Sequence, residues 1–130
     1  MQFLVGYNGS NASNSALSLA RDFAKIFKAR VLILLSTEGG TSETLEDISE
    51  AENKLKYAKD FLTQAGIACE THQLARGMTP GEDLVSFAEE NNIDQIFVGI
   101  EKKSKTRKLL LGSTAQYVIL KATCPVVTIK

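Results

Sequence analysis

Residues 98 to 119, VGIEKKSKTRKLLLGSTAQYVI, place a basic segment directly before a glycine and a serine that begin a helical pattern. The basic residues, five within seven positions, are Lys102, Lys103, Lys105, Arg107 and Lys108. Gly112 and Ser113 would give the helix start free backbone N–H groups, a hydroxyl and the positive end of the helix dipole, which suit an anion. The segment therefore predicts binding of a phosphate or another anion. The alternative is a helix cap that follows a solvated basic loop.

Other residues that commonly carry chemistry are sparse and isolated. Cys69 and Cys124 belong to no CxxC motif, and the single histidine, His72, has no ligand partner near it in the sequence. The nine glycines form neither GxGxxG nor GxxxxGK[ST], which excludes the P-loop and dinucleotide-binding motifs. We therefore expect no catalytic residues and no metal site.

Charge and hydropathy limit the partners that the sequence predicts. The chain has 15 basic and 15 acidic residues among 130, so no net field favours nucleic acid or a membrane surface. Nucleic-acid contact is further disfavoured because no aromatic residues alternate with the basic ones. Met1 leads directly into a strand-like segment, and no apolar run approaches the ~20 residues that span a bilayer. We expect a single cytoplasmic domain over residues 1–130, with no membrane contact.

Short apolar segments alternate with helical patterns along the chain. Strands are predicted at 3–7, 31–35, 68–74, 95–99 and 126–129, and helices at 13–27, 43–65, 81–91 and 113–122. The mixed composition of 68–74 and the proline before 126–129 suit sheet edges, whereas the other strands are apolar enough for the middle. The alternation predicts an α/β fold with a doubly wound, mainly parallel five-stranded sheet.

The helical patterns also predict boundaries and buried faces. Asn11 or Ser13 is expected to cap the first helix, Pro80 to lie in the first turn of the third, and Gly66 to end the second. Residues 39–44, GGTSET, are expected to form a mobile loop. The apolar residues expected on the inward faces include Phe27, Leu45, Leu55, Ile48, Val118 and Ile119.

Ligands of open α/β sheets bind beyond the carboxyl ends of the strands, where the winding direction reverses. If the strand order is 3-2-1-4-5, that point lies between strands one and four. Tyr7, Asn8, Gly9 and Ser10 follow strand one there, and Gly99 would let the chain turn sharply after strand four. For Asn8, the alternative to ligand contact is a turn residue with positive φ.

Three segments resemble the universal stress proteins of the UspA type, and together the likeness runs over essentially the whole chain. FLVGYNGSNASNSAL is similar to the family's first strand and turn, usually ending V-D-G-S, and GMTPGEDLVSFAEENNIDQIFVG is similar to its G-x-P-x-x-x-I helix and D-L-I-V-M-G strand. LLLGSTAQYVILKATCPVVTIK resembles the family ending LLLGSVAERVLRHAPCPVLVV. The resemblance implies a Rossmann-like (adenine nucleotide alpha hydrolase-like) three-layer fold with strand order 3-2-1-4-5, homodimers and stress-linked regulation.

The resemblance also implies an adenine-nucleotide site, because one branch of the family binds ATP through a Gly-x2-Gly-x9-Gly-Ser/Thr loop. Positions 99, 102, 112 and 113 keep this spacing. ATP or AMP is the implied ligand, with Mg²⁺ left open and at most weak ATP hydrolysis. Carried onto this chain, the implied nucleotide-binding residues are Gly6, Asn8, Ser36, Val98, Gly99, Lys102, Gly112, Ser113, Thr114 and Ala115.

Two positions depart from the pattern of the ATP-binding branch. Lys102 replaces the middle glycine, and Asn8 replaces the aspartate that usually ends the first strand. If position 102 needs a left-handed backbone, lysine costs roughly 1 to 2 kcal/mol there, whereas its ammonium group could return roughly 1.5 to 3 kcal/mol by binding a phosphate. A homodimeric stress-response module that binds no nucleotide is therefore the alternative, with the basic loop engaging an acidic partner.

The last strand, Val126, Val127, Thr128 and Ile129, leaves an apolar sheet edge that needs cover. Pairing with the same strand of a two-fold copy would supply it, and the resemblance implies the same homodimer. An unidentified regulatory protein is the expected further partner. Cys69 and Cys124 would lie at opposite sheet edges, roughly 19 Å apart, which is beyond the ~7 Å limit for a disulfide.

Overall fold

Three apolar segments form the middle of a five-stranded parallel sheet whose order is β3-β2-β1-β4-β5, as predicted. The computed structural model describes residues 1–37, 44–101 and 111–130. The strands are β1 (Gln2–Gly6), β2 (Arg30–Ser36), β3 (Cys69–Leu74), β4 (Gln95–Gly99) and β5 (Val126–Ile129). The helices are α1 (Asn11–Phe27), α2 (Leu45–Gln64), α3 (Pro80–Glu90) and α4 (Ser113–Lys121). The predicted α/β fold is therefore confirmed.

Both faces of the sheet are covered, because successive side chains of the central strands point to opposite sides. Phe3 and Val5 of β1 pack with buried residues of α1 and α2, whereas Leu4 packs with those of α3 and α4. All three of these side chains are fully buried. The apolar composition of the central strands thus produces the three-layer arrangement, and it fixes α1 and α4 on either side of the β1 and β4 ends.

The starts of α1, α2 and α3 are set by hydroxyl side chains, which the helical periodicity alone does not identify. Ser10 caps α1 by accepting a hydrogen bond from the Ser13 backbone N–H at 3.1 Å. The prediction of Asn11 or Ser13 as the cap was wrong, because α1 begins at Asn11 and Ser13 is already in its first turn. Thr44 and Thr79 cap α2 and α3 with capping boxes. Pro80 lies at the start of α3, as predicted.

The predicted inward faces were correct in the middle of the helices and wrong at their ends. Leu55 of α2 and Val118 of α4 are buried as expected. Leu45 is 86% exposed, and Ile48, Ile119 and Phe27 are also exposed. Leu45 and Ile48 lie in the first turns of α2 and Ile119 on the outer flank of α4, whereas Phe27, at the end of α1, still packs edge-on against Phe3 of β1 with ring centroids 6.4 Å apart.

The cysteines, the predicted loops and the helix lengths complete the description of the fold. Cys69 lies on β3 and Cys124 directly before β5, and both are free, as expected for opposite sheet edges. Within 1–37, 44–101 and 111–130, no helix has the length and apolar character needed to cross a membrane. Of the mobile loop predicted at 39–44, residues 39–43 lie outside the described residues, as does the basic segment from Lys102 to Lys108, while Thr44 is the cap of α2.

Candidate functional site

A cleft of about 170 Å³ lies at the carboxyl ends of β1 and β4, beside the amino terminus of α4. This is the point where the sheet order reverses direction, since β1 pairs with β2 on one side and with β4 on the other. Its lining residues are Gly6, Tyr7, Asn8, Ser10, Ser13, Leu34, Ser36, Pro80, Leu84, Val98, Gly99, Glu101, Gly112, Ser113, Thr114 and Ala115.

The structure brings together nine of the ten residues that the resemblance implied for a nucleotide site. The tenth, Lys102, lies outside the described residues. Asn8 and Ser113 line the same cleft although they are far apart in sequence. The cleft is also lined by residues outside that set of ten: Tyr7, Ser10, Ser13, Leu34, Pro80, Leu84 and Glu101. Of these, the sequence had placed Tyr7 and Ser10 in the loop that follows strand one at this point.

The turn after β1 is held by side-chain hydrogen bonds around Asn8. The Asn8 Oδ1 atom accepts from the Ser10 backbone N–H at 3.0 Å, and the Asn8 Nδ2 atom donates to Glu101 Oε1 at 3.1 Å. Asn8 therefore joins the two loops that border the cleft. The alternative role for Asn8, a turn residue with positive φ, does not hold, because Gly9 takes that conformation with φ +82°.

Tyr7 is buried beneath this turn and is linked to α1. Its hydroxyl donates to Asn14 Oδ1 at 2.7 Å. Burial raises the pKa of the Tyr7 phenol, and the charge of Tyr57 raises this pKa further. Tyr7 therefore stays neutral at physiological pH, and it lines the cleft.

Gly99 serves close packing rather than the sharp turn that the sequence led us to expect. A Cβ atom at this position would lie 2.2 Å from the backbone oxygen of Ala12 in α1. Only glycine lets the first turn of α1 approach the end of β4 so closely. The width of the cleft between α1 and β4 therefore depends on Gly99.

The amino terminus of α4 offers free donors to the cleft. Gly112 is the N-cap residue, with φ −60° and ψ 155°, and as a glycine it has no side chain with which to cap the helix. Ser113 and Thr114 follow in the first turn and also line the cleft. Since the first backbone N–H groups of a helix have no partner within it, they are available to an anion here.

The buried carboxylate of Asp83 lies behind the opposite end of the cleft, where β2 and α3 come together. Asp83 of α3 is fully buried, and Arg76 contacts its Oδ1 atom through Nε and Nη2, each at 3.0 Å. The Ser36 hydroxyl donates to the other carboxylate oxygen. The sequence gave no signal for this cluster, because Asp83 lies in a helix start where an acidic residue is common.

Two further observations concern charge and metals. Glu101 is the one formally charged side chain that lines the cleft within the described part of the chain. The same residues contain no group of three or more His, Cys, Asp and Glu side chains placed to hold a metal ion.

The doubly wound sheet defines a Rossmann-like α/β protein with a cleft at the strand ends, where the winding direction reverses. Comparison with known proteins identifies the family. Residues 1–130 match the Universal stress protein family. The chain belongs to the universal stress protein family, which confirms the resemblance found in its sequence.

Individual relatives agree with this assignment. Universal stress protein MJ0531 of Methanocaldococcus jannaschii is 31% identical over an alignment of 142 positions, gaps included, which covers 99% of this chain and 81% of the relative. A solved universal stress protein from Archaeoglobus fulgidus is 37% identical with a TM-score of 0.92, covering 100% of this chain and 98% of its own. The universal stress protein from Archaeoglobus fulgidus solved in complex with dAMP is 34% identical with a TM-score of 0.86, again covering 100% and 98%.

Proposed function

We propose that this protein is a regulatory universal stress protein that binds an adenine nucleotide, ATP or AMP, in the cleft between β1 and β4. The observation that carries the proposal is the α4 amino terminus, which opens into the cleft with no side-chain cap at Gly112. Backbone N–H groups in that position bind phosphate in many α/β proteins. The related Archaeoglobus fulgidus protein in complex with dAMP supports the same ligand class.

The distribution of polar and apolar groups fits the two ends of a nucleotide. Gly112, Ser113 and Thr114 lie where the phosphates would bind. Leu34 and Leu84 line the cleft toward β2 and α3, where the flat faces of a base would pack. The proposed contacts are those of Gly6, Asn8, Ser36, Val98, Gly99, Lys102, Gly112, Ser113, Thr114 and Ala115.

Charge affects which adenine nucleotide binds best. A triphosphate carries more negative charge than a monophosphate, so its binding depends more strongly on a compensating cation. Mg²⁺ or the ammonium group of Lys102 would supply that positive charge. We therefore propose that AMP binds without Mg²⁺, whereas ATP binds more tightly when Mg²⁺ is present.

Two measurements test nucleotide binding. The purified protein is denatured, and the supernatant is chromatographed for adenine absorbance. Titration calorimetry then compares ATP and AMP on the native protein, on Lys102→Gly and on Lys105→Gly, the last being a control that loses the same charge elsewhere in the basic segment. Heat with the native protein is the expected result.

The outcomes of the titration separate the functional classes. Binding by Lys102→Gly alone would show that the lysine closes the site and would favour an interaction module that binds no nucleotide. Binding by neither the native protein nor the variants would overturn the proposal. A similar loss of affinity in Lys102→Gly and Lys105→Gly would show that the segment contributes overall charge rather than a contact from Lys102.

We also propose that the protein is a cytoplasmic homodimer paired through Val126, Val127, Thr128 and Ile129. β5 is an edge strand of the sheet, and Val127 and Ile129 pack partly against the core below it. A two-fold copy would cover the hydrogen-bonding groups along the outer side of this edge. The output of nucleotide binding in this proposal is a change in affinity for a regulatory protein partner, and no chemical step is assigned to the site.

A further inference from the structure

The buried carboxylate of Asp83, which is paired with Arg76, also binds Ser36, a residue that lines the cleft. Asp83 has no exposed surface, its Oδ1 atom accepts from Arg76, and its Oδ2 atom accepts from the hydroxyl of Ser36. A carboxylate paired with a guanidinium group has no hydrogen to donate. The single hydrogen of the Ser36 hydroxyl is therefore committed to Asp83.

Ser36 lines the cleft, whereas Asp83 stands behind it. With its hydrogen committed, the Ser36 oxygen can offer a ligand only its lone pairs. We propose that Asp83 is a positioning residue that fixes Ser36 as a hydrogen-bond acceptor and thereby selects ligands with an N–H or O–H donor at this end of the cleft. This inference rests on the proposed nucleotide binding.

The position of Ser36 indicates which part of a nucleotide supplies the donor. Ser36 ends β2, and the α4 amino terminus lies beyond β4, which is two strands away across β1. Two strand spacings are about 10 Å, so a ligand with its phosphates at Gly112 extends its base toward Ser36. Leu34 and Leu84 line the cleft beside Ser36 and would contact the base faces. The donor is then the exocyclic amino group of adenine, and a sugar hydroxyl is the other source of the same chemistry.

Asp83→Asn should reverse the polarity of Ser36 without changing the size of the side chain. The donors of Arg76 would hold the amide oxygen of the new side chain, because they already face Oδ1. The amide NH₂ group would then face Ser36 and donate to its oxygen. The hydroxyl hydrogen of Ser36 would be released to the cleft, where it favours a ligand that carries an acceptor.

Titration calorimetry with AMP, IMP and dAMP tests this inference on the native protein and three variants. IMP replaces the amino group by a carbonyl acceptor, and dAMP lacks the 2′-hydroxyl. The native protein should bind AMP about tenfold more tightly than IMP, which corresponds to one hydrogen bond to the base. Asp83→Asn should move the AMP-to-IMP affinity ratio to one or below, and Ser36→Ala should bring it close to one.

Glu90→Gln is the matched control, because it weakens the outer contact of Arg76 at 3.9 Å and leaves the contacts to Asp83 in place. Its AMP-to-IMP ratio should stay at the native value. A purely structural role of Asp83 would lower the affinity for all nucleotides by the same factor and would leave the ratio unchanged. Circular dichroism checks the fold of each variant, and Ser36→Ala alone suffices if Asp83→Asn does not fold.

The outcomes distinguish this inference from the proposed function. If Asp83→Asn and Ser36→Ala change the AMP-to-dAMP affinity ratio and not the AMP-to-IMP ratio, Asp83 still selects a ligand that carries a hydrogen-bond donor, and that donor is a sugar hydroxyl. Tight binding of AMP with both ratios unchanged in Asp83→Asn and Ser36→Ala would overturn this inference and keep the proposed function. Absence of nucleotide binding by the native protein would overturn both.

Discussion

Gly99 sets the geometry of the cleft because glycine has no side chain. Gly99→Ala would place a Cβ atom 2.2 Å from the Ala12 backbone oxygen, so α1 or β4 must move. We expect the free energy of unfolding to fall by about 1 to 3 kcal/mol, as for other overpacked sites. Urea denaturation followed by circular dichroism measures the change.

Gly112→Ala is the control for Gly99→Ala, since it adds the same methyl group at the other side of the cleft. Among the described residues, no atom lies within 4 Å of a Cβ atom at Gly112, and its φ of −60° suits any residue. We expect its unfolding free energy to stay within about 0.5 kcal/mol of the native value. Equal stabilities of the two variants would contradict the packing role of Gly99.

At the scale of residues, motif spacing predicted positions better than it predicted contacts. Asn8, Gly99 and Ser113 were placed at one site by their positions after two strands and before a helix, and they line one cleft. The hydrogen bond from Asn8 to Glu101 and the burial of Asp83 were not predictable. Each depends on side chains from elements distant in sequence, and spacing within one element carries no information about them.

The start of α1 allows a direct test of helix capping at the scale of an element. Ser10→Ala removes the hydroxyl that accepts from the Ser13 N–H, so the protein should lose about 1 kcal/mol of unfolding free energy. Asn11→Ala is the matched control, because Asn11 is exposed and already lies inside the helix. Urea denaturation without nucleotide should show a smaller loss for this control. A larger loss for Asn11→Ala would assign the cap to Asn11, as the sequence suggested.

Hydrophobic periodicity does not predict where a helix begins or how far its buried face extends. The sequence NGSNAS holds several side chains that can cap a helix, and only the backbone decides that Ser10 does so. In α2 the apolar period extends back to Leu45, yet the buried side begins at Ala51, because the sheet does not reach the first turns. Periodicity predicts that a helix is amphipathic, but the length of its buried face depends on the element beneath it.

The edge strand β3 should make stability depend on pH through the one histidine of the chain. Burial lowers the pKa of His72, and the charge of Arg30 lowers this pKa further. Glu70, 3.2 Å from His72, would favour the charged imidazole, but its carboxylate is also bound by Arg30. His72 is therefore held neutral in the folded protein, packed with its ring 4.9 Å from that of Phe87.

The sign of this pH dependence follows from linkage. A histidine with a lowered folded pKa binds protons more strongly when the protein is unfolded, so unfolding is favoured in acid. The stabilising contribution is fully present above the unfolded pKa of about 6.5, and it is lost as the pH falls through the lower folded pKa. Denaturation of the native protein and of His72→Gln from pH 7.5 to 5 should show a steeper loss for the native protein. An equal loss of stability in the native protein and in His72→Gln would contradict a lowered pKa of His72 in the folded protein.

At the scale of the whole molecule, the alternation of elements predicted the parallel sheet, whereas the strand order came from the family resemblance. Neither source shows which backbone groups of β5 remain free at the sheet edge. The Ile96 N–H donates to the Pro125 carbonyl and the Ile100 N–H to the Ile129 carbonyl. In a parallel pair, the backbone N–H and C=O groups of alternate residues point to the same neighbouring strand. The backbone groups of Val127 therefore also face β4, whereas those of Val126 and Thr128 face the outer side of the sheet.

This register determines which proline variant tests the proposed dimer. Val127→Pro removes an N–H that faces β4 and would disturb the sheet within one subunit. Thr128→Pro removes an N–H on the outer side and leaves the bonds to β4 in place. We expect Thr128→Pro to be a folded monomer in analytical ultracentrifugation, while Thr128→Ala, which keeps the N–H, remains a dimer like the native protein. A folded Thr128→Pro dimer would mean that the subunits pair through a surface other than the β5 edge.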